Sequence, residues 1–223
     1  MKIFLIRHGE SMQNTKENFD LKIPDHLVCL TSNGIEQAKQ TGLLLKNYIE
    51  QNNIEIDNAT LWVSPYERTR QTAKIVNQHL QISDIKEDIT LIEQRYGLFS
   101  DTPIEECKKK YPEQFEFYDR YYQNDGKFYA KLPQGESPYD VAIRVKLFID
   151  TIFRDLNNGK ENIFLVTHGT VIRTFVLDWF HYSPEWFNAE PNMENCSVRL
   201  IEKKFDTSEE HYIKGGPIKV LKK

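Results

Sequence analysis

Apolar residues fall into two rhythms along this chain. Short unbroken runs at 3–6, at 60–63 ("TLWV"), at 162–166 ("NIFLV") and near 196–202 ("CSVRLIE") have the length and β-branched content of strands. Between them the apolar positions widen to helical spacing. In "TSNGIEQAKQTGLLLKNYIEQ", Ile35, Ala38, Gly42, Leu45 and Ile49 recur at gaps of three and four, one face of a helix. "SPYERTRQTAKIVNQHL" predicts a second helix, with Ser64 as its N-cap, Pro65 as its first residue and Glu67 as the return arm of a capping box. Ser137 and Pro138 open a third, with Val141, Val145, Phe148 and Ile152 along one side, and "TVIRTFVLDWF" is a fourth.

The segment 93–135 breaks the rhythm. It predicts two short helices, around 103–110 and 112–123, and an irregular stretch ending "KLPQGES". The terminal "KGGPIKVLKK" reads as a tail or a last strand. Strands alternating with helices predict an α/β chain with a largely parallel sheet, and 93–135 an insertion at one end of it. No linker or low-complexity tract divides the 223 residues, so one domain, 1–223, is expected.

One phrase occurs twice: "IFLIRHGE" at 3–10 and "IFLVTHGT" at 163–170. Ligands of open α/β sheets bind beyond the carboxyl ends of the strands, and both phrases place histidine and glycine there. The glycine lets the backbone turn and approach a ligand, and the following helix points N–H groups at the same place. A third strand end, "LWVSPYER", delivers Arg68 near a helix N-terminus, where a cation opposes the macrodipole. A residue placed against local stability is a candidate for function. Arg7, His8, Arg68 and His168 are thus expected to ring one volume suited to a compact dianion such as phosphate, whose oxygens match the guanidinium fork.

Composition narrows the choice of partner. A net charge of −4 argues against a general nucleic-acid binder, so attraction for an anion has to be local. Cys29, Cys107 and Cys196 are odd in number and widely separated with no CxxC spacing, which argues against a disulfide framework or a structural zinc and fits a cytoplasmic chain with free thiols. No apolar run is long enough to span a membrane, and the N-terminus is not a secretory signal.

"LIRHGES", "SPYERTRQTA", "EQRYG" and "VTHGT" together resemble the histidine phosphatase superfamily, also called the phosphoglycerate mutase-like family, with its landmarks in family order from residue 3 to about residue 200. The resemblance implies a three-layer sandwich with a mostly parallel central sheet and an α-helical lid insertion over the strand carboxyl ends. It implies that His8 is the nucleophile that becomes phosphohistidine. Arg7, Arg68 and a charged His168 would hold the phosphoryl oxygens, each worth about 3 kcal/mol by analogy with oxyanion-hole donors. Glu93 matches the acid that protonates the leaving oxygen and then activates water, and repulsion from bound phosphate favours its protonated form. Asn14, Gly169 and Thr170 are expected to contact substrate. Glu136 matches a family landmark, and Ser137 is equally a helix cap.

The remaining candidates have bland readings. His79, His181 and His211 are surface or packing residues, and "KKK" at 108–110 is a solvated face. His26 lies in a loop that could reach the pocket, and "FEFYDRYY" at 115–122 lines either a lid or the core. Mutases of the family carry adjacent arginines in the insertion and a glycine-tryptophan element after the first motif. Here Asp119 and Arg120 occupy the insertion and "IPDHLVCLT" follows the motif, which favours a phosphatase over a mutase. A non-catalytic phospho-ligand module would typically have lost a pocket residue, and all five are present. No compact Asp/His spacing suggests a metal, and phosphohistidine chemistry requires none, so no metal or cofactor is expected. The expected partner is a small phosphorylated substrate, with neither nucleic acid nor membrane, and the oligomeric state, a homodimer included, stays open.

Overall fold

Residues 1–15, 23–100, 102–204 and 207–216 are described by the computed structural model. In chain order they form β1 (Lys2–Arg7), α1 (Met12–Thr15), α2 (Ser32–Gln51), β2 (Ala59–Val63), α3 (Glu67–Leu80) and β3 (Asp84–Glu87). Then follow α4 (Ile104–Lys110), α5 (Pro112–Asp125), α6 (Pro138–Asn157), β4 (Asn162–Thr167), α7 (Gly169–Phe180), α8 (Pro184–Ala189), β5 (Val198–Lys204) and β6 (Thr207–Lys214). The strands make one sheet in the order β3-β2-β4-β1-β5-β6, parallel from β3 through β1 and antiparallel at β5 and β6.

The repeated phrase is explained by this order. β1 and β4 lie side by side in register, Ile3 opposite Ile163, Phe4 opposite Phe164 and Leu5 opposite Leu165. Two parallel strands buried on both faces face the same packing problem at each level, so similar residues solve it. Ile3, Leu5, Ile163 and Leu165 pack on one side against Val145, Phe148, Ile152, Val171, Ile172 and Phe175 of α6 and α7. Phe4, Ile6, Phe164 and Val166 pack on the other against Leu45, Ile49, Ala73 and Val76 of α2 and α3. The Phe4 and Phe164 rings stack 4.3 Å apart, a pair worth about 0.5–1.5 kcal/mol beyond its buried area. A polar tie crosses the first layer, where Trp62 Nε1 donates to Asp155 Oδ2 at 2.9 Å.

α6 begins as expected, with a complete Ser137–Asp140 capping box and Pro138 as the first residue. α3 does not. It starts at Glu67, and Ser64 makes no cap; the Ser64 carbonyl instead accepts from Thr69 Oγ1 at 2.8 Å. Two strands were not foreseen. β3 is a four-residue edge whose Ile85 is exposed, and β6 is a polar edge, "TSEEHYIK"; neither shows the apolar pattern of a buried strand. Of the lysine-rich end, Lys214 closes β6 and residues 217–223 lie outside the described residues.

The insertion forms the two expected helices, α4 and α5. α5 carries no buried residue, so 115–122 is not core: Phe117 and Tyr121 are exposed, and Tyr118 lines a cavity. Lys108, Lys109 and Lys110 sit on the exposed face of α4. His181 and His211 are exposed, while His79 packs against Gly42. No helix among the described residues is long and apolar enough to cross a membrane.

Candidate active site

The parallel strands β1, β2 and β4 end at one edge of the sheet, at Arg7, Val63 and Thr167. The ladder runs one residue further, with His8 N donating to Thr167 O at 3.0 Å. His8 and His168 therefore leave adjacent strands at the same level. Their rings meet edge to face, centroids 5.1 Å apart. A cavity of about 370 Å³ opens there, lined by Arg7, His8, Arg68 and Glu93, by Gln13 and Asn14 from α1, and by Tyr96, Phe99 and Asn192.

Each catalytic candidate is held by one part of its side chain and offers another. His8 Nδ1 lies 2.7 Å from Gly9 O; since a carbonyl only accepts, Nδ1 carries the proton and the Nε2 lone pair is free. The Arg7 Nη1 group donates to Met193 O, while its buried Nε has no hydrogen-bond partner. Arg68 Nη1 donates to both the carbonyl and the Oδ1 of Asp25 at 2.8 Å, which turns the fork while Nε and Nη2 remain for a ligand. The guanidinium of Arg68 also lies 4.9 Å from the ring of Tyr66, which in turn meets the His168 ring edge to face at 5.1 Å. His168 Nε2 is 2.8 Å from Ser64 Oγ, and its buried Nδ1 has no partner.

Electrostatically the site is a pair of neutral imidazoles between guanidiniums. Burial first, then the charges of Arg68 and Arg7, holds His8 well below the ordinary histidine range. Burial, Arg68 and the neighbouring His8 do the same to His168. Without a ligand His168 is thus held toward its neutral form, and the charged form expected above belongs to the phosphate-bound site, where the field of the anion opposes these effects. Burial is also the main cause that lowers Arg7, with Glu93 opposing it.

Glu93 is placed by a rigid support. Arg144 forks onto Glu136, with Nε to Oε1 at 3.1 Å and Nη2 to Oε2 at 3.2 Å, and donates to the carbonyls of Thr90 and Glu93. Glu136 Oε2 in turn accepts from Arg95 N at 2.9 Å. Glu136 thus acts on the loop carrying Glu93 and not on the cavity.

The secondary candidates separate. Asn14 lines the cavity, its Oδ1 accepting from Ser11 N at 3.0 Å and from Asn195 Nδ2 at 3.2 Å. Thr170 is buried and lines a neighbouring cavity instead. Gly169 is the first residue of α7, and a Cβ there would meet the Asn192 side chain at 2.9 Å. Gly9 has a similar reason: its Cβ would lie 2.5 Å from Gly34 O, so this glycine admits α2 and not only a ligand. His26 stays exposed, 6.5 Å from the Tyr66 ring, and it is the preceding Asp25 that reaches the site. Ser64, Asp25, Tyr96 and Asn192 were not singled out as site residues from the sequence. Ser64, Tyr96 and Asp25 lay inside quoted stretches ("SPYERTRQTA", "EQRYG" and "IPDHLVCLT") in which other residues drew the reading, whereas nothing local to Asn192 signals its role. Among the described residues no group of three or more His, Cys, Asp or Glu side chains could hold a metal ion.

Comparisons with known proteins show the family and the fold. The sequence matches the histidine phosphatase superfamily (branch 1) over residues 3–211. It is 30% identical over 213 residues to phosphoglycerate mutase-like protein AT74 of Arabidopsis thaliana, covering 90% of this chain and 64% of that protein. It is 26% identical to the broad-range acid phosphatase DET1 of Saccharomyces cerevisiae, covering 95% of this chain and 87% of that one. Among solved structures, an alpha-ribazole phosphatase from Shigella flexneri superposes with a TM-score of 0.75 at 21% identity, covering 100% of both chains.

Proposed function

Because the chain belongs to the histidine phosphatase superfamily (branch 1), we propose that it is a metal-independent phosphomonoester hydrolase working through a phosphohistidine at His8. The observation that carries this reading is the tautomer of His8: an imidazole held by Gly9 O, kept neutral, with Nε2 free beside two buried guanidiniums.

In the first step His8 Nε2 attacks phosphorus, the N–P bond forms and the P–O bond to the leaving group breaks. The leaving oxygen takes a proton from Glu93, which lines the cavity with His8. In the second step Glu93 accepts a proton from water, the water oxygen attacks phosphorus and the N–P bond breaks, returning His8 and releasing phosphate. Arg7 Nε, the unanchored nitrogens of Arg68 and the Nδ1 of His168 are the donors for the equatorial oxygens. Asn14 supplements them from α1, while Gly169 serves by packing. The 93–135 segment covers the strand ends as a lid, supplying Tyr96, Phe99 and Pro103 to the wall facing the leaving group.

The test is a panel of phosphate esters assayed with EDTA present. The wild type releases phosphate, His8→Ala loses roughly a thousandfold or more, and an acid-labile, alkali-stable phosphoenzyme is trapped in the wild type alone. Undiminished release by His8→Ala contradicts the assigned nucleophile, and interconversion of 2- and 3-phosphoglycerate faster than hydrolysis makes the protein a mutase.

A further inference from the structure

Between α8 and β5 the chain turns through residues 193–197 against the backbone of Arg7 and His8. Met193 O accepts from Arg7 Nη1, and Arg7 N donates to Ser197 O at 3.2 Å. Cys196 N is shared between the carbonyls of Arg7 and His8, 3.2 Å from each. Cys196 takes that position with φ at +55°, the left-handed region that a residue other than glycine rarely adopts. Such a conformation persists where the surroundings over-determine it. Here Glu194 N donates to Gly216 O at 2.9 Å, and Thr41 Oγ1 of α2 reaches Cys196 O at 3.0 Å. The turn is a rigid part against which the strand end is set.

One side chain of the turn reaches the first loop as well. Asn195 Nδ2 lies 3.1 Å from His8 O and 3.2 Å from Asn14 Oδ1. An amide nitrogen carries two hydrogens, and these two acceptors use both. His8 O can only accept, which fixes which end of the Asn195 amide is nitrogen. The same logic fixes Asn14. Its Oδ1 also faces Ser11 N at 3.0 Å and Ser11 Oγ at 3.1 Å, and a backbone N–H only donates. With Oδ1 turned to three donors, the amide nitrogen is the end of Asn14 left for the cavity that it lines. α1, which carries Asn14, is four residues long and has no buried residue, so hydrogen bonds and not packing must set this side chain. Asn195 supplies the one that comes from 181 positions away, and it ties Asn14 to the residue of the nucleophile.

We propose that Asn195 is a positioning residue for phosphoryl binding: it couples the His8 carbonyl to the Asn14 amide, so that Asn14 Nδ2 donates to a phosphoryl oxygen while His8 Nε2 faces phosphorus. Asn195 touches no reacting atom itself. This rests on the hydrolase reading above and adds to it the part that holds donor and nucleophile in one geometry. Without Asn195 the Asn14 amide keeps only its neighbour Ser11, and rotation then presents Oδ1, an acceptor that repels the anion, as readily as Nδ2.

The test measures kcat, KM and the competitive Ki of inorganic phosphate in the wild type, Asn195→Ala, Asn14→Ala and the double variant. Asn195→Ala raises KM and Ki about tenfold for every leaving group and leaves kcat within about threefold, because Asn14 serves oxygens present in substrate and product alike. In the Asn14→Ala background the same substitution changes either constant by less than about twofold, since the group through which it acts is gone. Asn195→Asp keeps the shape, replaces the donor by a carboxylate and raises both constants further. Backbone hydrogen bonds still hold the turn in these variants, and urea midpoints report on the fold. A loss confined to kcat, wild-type constants in both Asn195 variants, or losses that simply multiply in the double variant overturn the proposal. Calorimetric titration with inorganic phosphate makes the same comparison without turnover. Phosphate binding that shows the coupling, in a protein that hydrolyses no ester, fails the hydrolase reading alone; hydrolysis lost in His8→Ala without the coupling fails the positioning role alone.

Discussion

The hydroxyl of Ser64 lies 2.8 Å from Nε2 of His168, and both are fully buried. If the hydroxyl donates, Nε2 accepts and the ring proton resides on Nδ1, the one polar atom of that imidazole left without a partner. Ser64 then selects the tautomer that can donate to a phosphoryl oxygen. Ser64→Ala is expected to lower kcat by roughly 10- to 100-fold while costing only about 1–3 kcal/mol of stability. Ser64→Thr, which keeps the hydroxyl, recovers most of the rate. Steady-state kinetics with denaturant unfolding separates the two effects; equal kcat in Ser64→Ala and wild type removes Ser64 from the mechanism.

That pairing also shows where sequence reasoning stopped. A serine before proline at a strand end satisfies every local rule for a helix cap, and the cap was forfeited to a contact with a residue 104 positions away. The buried strands β1, β2 and β4 were legible because burial on both faces forces continuous apolar runs, and so were α2 and α6 through their spacing. β3 and β6 were not, since an edge strand needs only backbone partners. In the site, the residues carried by strand ends were legible in the phrases they terminate. Asp25, which anchors Arg68, and the cavity-lining Tyr96 and Asn192 come from loops, where no periodicity or cap distinguishes a side chain that serves the site from its neighbours.

Asp25 anchors Arg68 through a carboxylate and a carbonyl on the same nitrogen. Its side chain is 35% exposed, so the ion pair itself contributes little, on the order of 1 kcal/mol or less. The larger effect is orientation. Asp25→Ala is expected to lower kcat/KM about tenfold by loosening the fork, whereas Asp25→Asn, which still offers an acceptor oxygen, stays within about threefold of wild type. Equal losses in both variants assign the effect to charge and not to geometry.

The two depressed imidazoles set a pH dependence whose sign is fixed. In the unfolded chain each takes up a proton as pH falls through about 6.5, whereas in the folded protein each does so only at lower pH. Between those limits the unfolded state binds more protons, so stability present above about pH 6.5 is lost as the solution is acidified. Urea unfolding at pH 8, 6.5 and 5 should show that loss, and His168→Asn should make it shallower. For the same reason the acid limb of kcat/KM attributable to His8 lies below pH 6.5, since the nucleophile stays neutral there. A limb centred at or above that pH means that His8 is not shielded as described.

Gly34 supports His8 through the backbone alone. A Cβ on Gly34 would lie 2.0 Å from Glu10 O and a Cβ on Gly9 2.5 Å from Gly34 O, so α2 and the loop after β1 touch with no room for a side chain on either. The contact is secured by Thr31 N donating to Glu10 O at 2.9 Å, while Gly9 N, donating to Thr72 Oγ1 at 3.1 Å, ties the same loop to α3. Backbone cannot yield as a flexible side chain does, so Gly34→Ala must push the two segments apart. It is expected to cost about 1–3 kcal/mol, read as a lowered urea midpoint, as overpacking generally does. Because the displaced loop carries His8, kcat falls at temperatures where the variant is still fully folded. By contrast Gly126→Ala and Gly159→Ala, where an added Cβ meets nothing within 4 Å, should leave kcat unchanged and disturb only the local positive-φ turn. A folded Gly34→Ala protein with wild-type kcat would show that His8 holds its place without this contact.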